Sequence, residues 1–186
     1  MKKPTIADWF SLYRIIAVPL LIFTLIKRRR KKFIYLSAAS LFTDAADGFF
    51  ARQLKQETKQ GAKLDSTGDL LTQLLMVVGL FRFKKSFLQD HKTSILSIVG
   101  VYILQIAAGY LKYKKLTTFH TYSSKIAFIA LGIFYILLFL YKYIRTLYKV
   151  SVLLMMISLI EDLLLVLVLP KPTDNAKGLY WQLATK

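Results

Sequence analysis

The sequence predicts an all-α integral membrane protein with six transmembrane helices and an N-terminal segment lying in the interface. Three observations lead there. Hydrophobic residues make up 55% of the 186. They gather in six runs of about 20 residues, the length that crosses the hydrocarbon core of a bilayer. Short basic stretches separate the runs, as expected of loops at headgroup level. A chain of this length suits one compact membrane domain over residues 1–186 rather than several soluble ones. Its 27 basic and 10 acidic residues leave a net charge of +17, which calls for anionic partners. Basic residues that punctuate apolar spans meet lipid headgroups or substrate phosphates, so membrane lipids are the expected partner and nucleic acid is not. With no cysteine there are no disulfides.

The opening, MKKPTIADWFSLYRIIAVPLLIFTLI, has the basic start of a signal peptide. Arg14 interrupts its apolar run and no small-residue cleavage site precedes KRRRKK, so residues 9–26 read as a retained first span. Trp9 and Tyr13 suit headgroup depth, which places the first half of this span in the interface. The second span covers 33–52 and the third 64–83, linked by 53–63. Three more follow at 94–111, 122–141 and 150–169, separated by KYKKLTTFH and KYIRTLYK. Six spans put both termini on one side. The basic residues divide almost evenly between the two sides, and the run 27–32 on its own favours the opposite topology, so charge does not fix the orientation. The tail beyond Pro170 is short and polar, and is expected to be loosely ordered, with Tyr180 and Trp181 at the interface.

Four of the ten acidic residues stand between 44 and 69, at the end of the second span and the start of the third. On a helix, Asp44 and Asp47 (i, i+3) share one face, as do Asp65 and Asp69 (i, i+4). Unpaired carboxylates near a bilayer are costly, so divalent cations are their natural partner. Oxygen-only ligands with no histidine nearby point to Mg²⁺, Mn²⁺ or Ca²⁺, and Mg²⁺ keeps positions open for the oxygens of a diphosphate. Gly48 and Ala51 share the face of Asp44 and Asp47, and Gly61 and Gly68 accompany Asp65 and Asp69, leaving room for a bulky ligand against bare backbone. Arg52 ends the first stripe, where a guanidinium can pair with phosphate.

Asp44-x2-Asp47-Gly48-x2-Ala51-Arg52-x8-Gly61-x3-Asp65-x3-Asp69 resembles the signature of the CDP-alcohol phosphatidyltransferases at all its fixed positions. The resemblance implies transfer of a phosphatidyl group from a CDP-linked lipid, usually CDP-diacylglycerol, to an alcohol, with release of CMP. It implies two Mg²⁺ or Mn²⁺ ions on Asp44, Asp47, Asp65 and Asp69, with Asp69 also the general base on the acceptor hydroxyl. It further implies that Gly48, Ala51 and Gly61 admit the cytidine, that Arg52 steadies a phosphate, and that the chain is a homodimer. Because CDP-activated substrates are made in the cytoplasm, the site is expected to face it, in a bacterial cytoplasmic membrane. Phosphatidylglycerophosphate synthases are similar in size and N-terminal pattern, though many carry Pro and Lys where this chain has Ser66 and Leu70. Glycerol 3-phosphate is the expected acceptor, with inositol phosphate, serine or another alcohol as alternatives. A cation transporter or channel using the same carboxylates is the reading from another class, but it leaves Gly48, Ala51 and Arg52 without a purpose.

Two secondary features remain. Lys112, Lys114, Lys115, His120, Ser123, Ser124 and Lys125 gather before the fifth span. Lys115 and Lys125 are candidates for an acceptor phosphate, while a basic loop reaching headgroups explains the lysines equally well. Glu161 and Asp162 interrupt the sixth span, where an ion pair with Arg14 or a lysine, or a contact with a dimer partner, is expected. Aromatics such as Phe81, Phe83, Tyr102, Phe134 and Tyr135 read as packing or lipid-facing residues.

Overall fold

A computed structural model describes residues 6–54, 59–114, 119, 121–171 and 176–184, with side chains described outside 6–15, 44–54, 59–70 and 183. Among the described residues every regular element is a helix. The helices are α1 Ile6–Ile26, α2 Arg30–Leu54, α3 Lys59–Phe83, α4 Lys85–Asp90, α5 Lys92–Tyr113, α6 Tyr122–Leu140, α7 Arg145–Val168 and α8 Leu179–Ala184. The six long ones match the six apolar runs. Three of them, α5, α6 and α7, are long and apolar enough to cross a membrane; the described apolar parts of α1 and α3, Ile16–Ile26 and Leu71–Phe83, are shorter. The six-residue α4 and α8 were not expected.

The chain divides into two compact units, Met1–Gln89 and Asp90–Lys186. In the first, α1 packs against α2 and α3, and α2 against α3. Ala17, Leu21 and Leu25 recur every fourth residue and bury one stripe of α1, while Phe33 and Ile34 are fully buried on α2. Phe33 meets Phe83 at 5.6 Å between ring centroids, which brings the start of α2 to the end of α3. Ile16, Leu20, Ile22, Phe23 and Ile26 stay exposed, as suits a helix facing lipid tails.

The turn from α1 to α2 is a Schellman closure: Arg29 N donates to Thr24 O at 2.9 Å and Arg28 N to Leu25 O at 3.2 Å. Arg28 takes the left-handed position, at φ 53°, that glycine usually fills. The run KRRRKK therefore ends one helix and begins the next. Its cations complement the negative C-terminal end of α1, but oppose the positive N-terminal end of α2.

In the second unit α7 packs against both α5 and α6. Ala127 of α6 meets Met155 and Leu159 of α7, with Ile98 and Val101 of α5 against them. Ser151 Oγ donates to Ala130 O at 3.1 Å, tying α7 to α6. At one end His91 Nε2 and Tyr143 OH lie 2.9 Å apart, and the His91 ring stands edge-on to Tyr148 at 4.5 Å. At the other end Phe119, Leu165, Val166, Leu169 and Ala176 form a buried cluster. There Lys112 Nζ donates to Val166 O and Leu167 O, both at 2.8 Å, and Tyr113 OH donates to Leu169 O at 2.8 Å. These donors supply carbonyls that the last turn of α7 leaves without intrahelical partners.

The tail is more ordered than its composition suggests. Ala176 is fully buried, and Tyr122 N donates to Lys177 O at 3.2 Å. The α8 segment sets Trp181 against Tyr122, at 5.4 Å between centroids. Among the aromatics, Phe134 and Tyr135 are buried while Phe81 and Tyr102 are exposed, which divides them between packing and lipid-facing roles.

Candidate active site

The backbone of α2 is helical without a break through the first half of the acidic motif, and that of α3 through the second half. Uninterrupted helical register puts Asp44, Asp47, Gly48 and Ala51 (i, i+3, i+4, i+7) on one stripe of α2, with Arg52 next along it. The same register puts Gly61, Asp65, Gly68 and Asp69 (i, i+4, i+7, i+8) on one stripe of α3. The two helices are direct neighbours in the first unit. The side chains of all these residues lie outside the described ones, as does the whole connection 55–58. Among the described residues no group of His, Asp and Glu could hold a metal ion.

The described turns next to the motif add two residues that sequence reasoning missed. Ser40, four residues before Asp44, and Thr72, three residues after Asp69, are both buried, and neither hydroxyl has a hydrogen-bond partner among the described residues. Their neighbours are satisfied locally: Ser37 Oγ donates to Phe33 O at 2.9 Å, and Thr43 Oγ1 to Ser40 O at 2.9 Å. A serine or threonine in an apolar run usually bonds back to its own helix. Nothing in the sequence distinguishes Ser40 from Ser37 in this respect.

The expected acceptor cluster belongs to the second unit. Lys115 and His120 lie outside the described residues. Lys112 is engaged on the carbonyls of α7, and so has a structural role. Ser124 lies in the first turn of α6, which Thr121 caps: Ser124 N donates to Thr121 Oγ1 at 3.2 Å and its Oγ to Thr121 O at 2.9 Å. Lys125, on that same turn, is exposed, with its ammonium 5.5 Å from the centre of the Tyr122 ring. Lys114, the C-cap of α5, is exposed as well.

Glu161 has two hydrogen-bond donors among the described residues. One carboxylate oxygen accepts from Ser123 Oγ, and the other accepts from Leu179 N at 2.8 Å. The carboxylate thus joins the start of α6, the middle of α7 and the start of α8, with an anion at the N-terminal end of α8. Arg14 lies outside the described side chains. Asp162 is buried, and its Oδ1 has no hydrogen-bond partner among the described residues.

Compared with known proteins, residues 4–166 match the family model described as CDP-alcohol phosphatidyltransferase. No curated protein and no solved structure matches the chain.

Proposed function

The chain belongs to the CDP-alcohol phosphatidyltransferase family, and on that premise we propose that it moves a phosphatidyl group from CDP-diacylglycerol to glycerol 3-phosphate, releasing CMP. Members of the family are enzymes that transfer substituted phosphate groups, so ion transport gives way as a reading. The observation that carries the proposal is the unbroken register of α2 and α3, which sets the carboxylates and small residues in two stripes on neighbouring helices.

The family generally depends on a divalent metal. The donor set fits one, since Asp44, Asp47, Asp65 and Asp69 offer only oxygen, the ligand type of Mg²⁺ and Mn²⁺. Two such ions on these carboxylates would offset the charge of the diphosphate as its bond to CMP breaks. Asp69 takes the proton of the acceptor hydroxyl as that oxygen attacks the phosphatidyl phosphorus. Attack is direct, so the enzyme forms no covalent bond to the lipid. Gly48, Ala51 and Gly61 carry at most a methyl group and let the nucleotide approach the helices, while Arg52 pairs with a phosphate.

Helices of 21, 25 and 25 residues for α1, α2 and α3 span about 30–38 Å at about 1.5 Å per residue, enough for a core of about 30 Å. All six long helices cross the bilayer in this reading, as a homodimer with the carboxylates toward the cytoplasm.

The test is CMP release by the purified full chain in detergent with CDP-diacylglycerol and Mg²⁺, offering glycerol 3-phosphate, inositol phosphate, serine or no acceptor in parallel. Release that depends on glycerol 3-phosphate is the expected result. Dependence on another acceptor keeps the reaction and replaces the substrate. No release with any acceptor, from folded protein, overturns the choice of donor.

A further inference from the structure

The first unit carries a second charged feature far from its carboxylates. Along α2, Arg30 stands about 21 Å from Asp44, and along α3, Arg82 stands about 20 Å from Asp69, at about 1.5 Å per residue. At that far end the C-terminus of α1, the N-terminus of α2 and the C-terminus of α3 bring together the run 27–32 with Arg82, Lys84 and Lys85. Residues 16–43 and 71–89 contain no Asp or Glu to balance them. The crowding registers on Lys84: burial, and then the charge of Arg30, hold its pKa below the usual lysine value.

A groove of about 420 Å³ opens between α1 and α2 at this corner. Such a volume lies within the range of small-ligand sites. Leu20, Phe23 and Leu36 wall it, and Arg29 and Lys32 stand beside them. The Arg29 guanidinium carbon lies 5.8 Å from the centre of the Phe23 ring, so charge and apolar surface are adjacent. Thr24 also lines the groove, but its hydroxyl is spent on Leu21 O at 2.8 Å.

We propose that this corner is a binding site for an anionic phospholipid, with the lipid phosphate on Arg29 and Lys32 and an acyl chain in the groove between α1 and α2. The apolar wall selects a lipid over a soluble anion. The absence of Asp and Glu from residues 16–43 and 71–89 favours an anionic lipid over a zwitterionic one, the next described acid in sequence being Asp90 at the end of α4. The proposal does not depend on which acceptor the enzyme uses, or on its reaction.

The test uses the purified, delipidated full chain in neutral detergent. Binding of phosphatidylglycerol, of phosphatidylcholine with the same acyl chains, and of inorganic phosphate is followed by native mass spectrometry. Phosphatidylglycerol is expected to bind at least about fivefold tighter than phosphatidylcholine, the effect of about one cation. Replacing both Arg29→Ala and Lys32→Ala should weaken it by about 25-fold, at about fivefold per cation. Leu20→Trp, which fills the groove while keeping the charges, should weaken both lipids. Lys149→Ala, an exposed cation of the second unit, should change nothing, and the charge-conserving Arg29→Lys should retain the preference. Equal affinity for the two lipids overturns the proposal, as does an unchanged affinity in the folded double variant. Inorganic phosphate that displaces phosphatidylglycerol stoichiometrically would show a free-anion site and overturn the lipid assignment.

Discussion

Asp69 and Glu161 are both acids in apolar surroundings, and the sequence treats them very differently. The role proposed for Asp69 rests on the sequence, because a reaction centre demands particular residues at fixed helical intervals, and such intervals survive in the linear text. Asp69→Asn is expected to lower CMP release by about 100-fold or more without unfolding the chain, as read from initial rates and circular dichroism. The partners of Glu161 were not legible, since one is a backbone N–H in a segment with no periodic pattern and the other is one of several serines. Glu161→Ala leaves Ser123 and Leu179 without their acceptor and should cost about 2 kcal/mol, seen as a lower unfolding midpoint. Gly178 sits beside this carboxylate at φ 153°, where a Cβ would meet Glu161 Oε1 at 2.9 Å and the Trp181 ring at 3.2 Å. Gly178→Ala should cost about 1–3 kcal/mol in the same assay. By contrast, Thr72→Val removes a buried hydroxyl that has no partner among the described residues, and should raise the midpoint by the equivalent of about 1 kcal/mol.

The six long helices were legible from the spacing of their apolar runs, and their ends from the basic loops between them. The two short helices were not. At six residues, neither α4 nor α8 carries enough periodicity to register, and α8 owes its place to the buried Ala176 and to Glu161 on its first N–H. The turn between α1 and α2 carries its own contradiction: its geometry asks for glycine, and its sequence supplies arginine. Arg28→Gly should relieve about 1 kcal/mol of left-handed strain and raise the unfolding midpoint, with lipid binding retained because Arg29 and Lys32 remain. At the far end of the second unit, the C-terminus of α7 depends on donors from α5. Tyr113→Phe should weaken it by about 1 kcal/mol and speed amide exchange in the last turn of α7.

At the scale of the whole chain, composition and run lengths made the all-helical membrane class legible, whereas the number of crossings was harder to read. Polar motif residues dilute α2 and α3 in the segments proposed to span, so length and composition argue in opposite directions there. A chain without cysteine makes the question measurable. Single variants Lys31→Cys and Gln53→Cys, at opposite ends of α2, should react with a membrane-impermeant maleimide from opposite sides of sealed vesicles. Labelling from the same side would show that α2 does not cross. The six cations of the turn 27–32 also make insertion an electrical event. Carrying one charge against a potential of 100 mV takes about 2.3 kcal/mol, so moving that turn toward the positive side of an energised membrane meets a barrier proportional to voltage. A protonophore present during synthesis should therefore raise the fraction of chains whose residue 31 reaches the outer side. In the proposed topology, the voltage of the receiving membrane therefore enters the energetics of insertion.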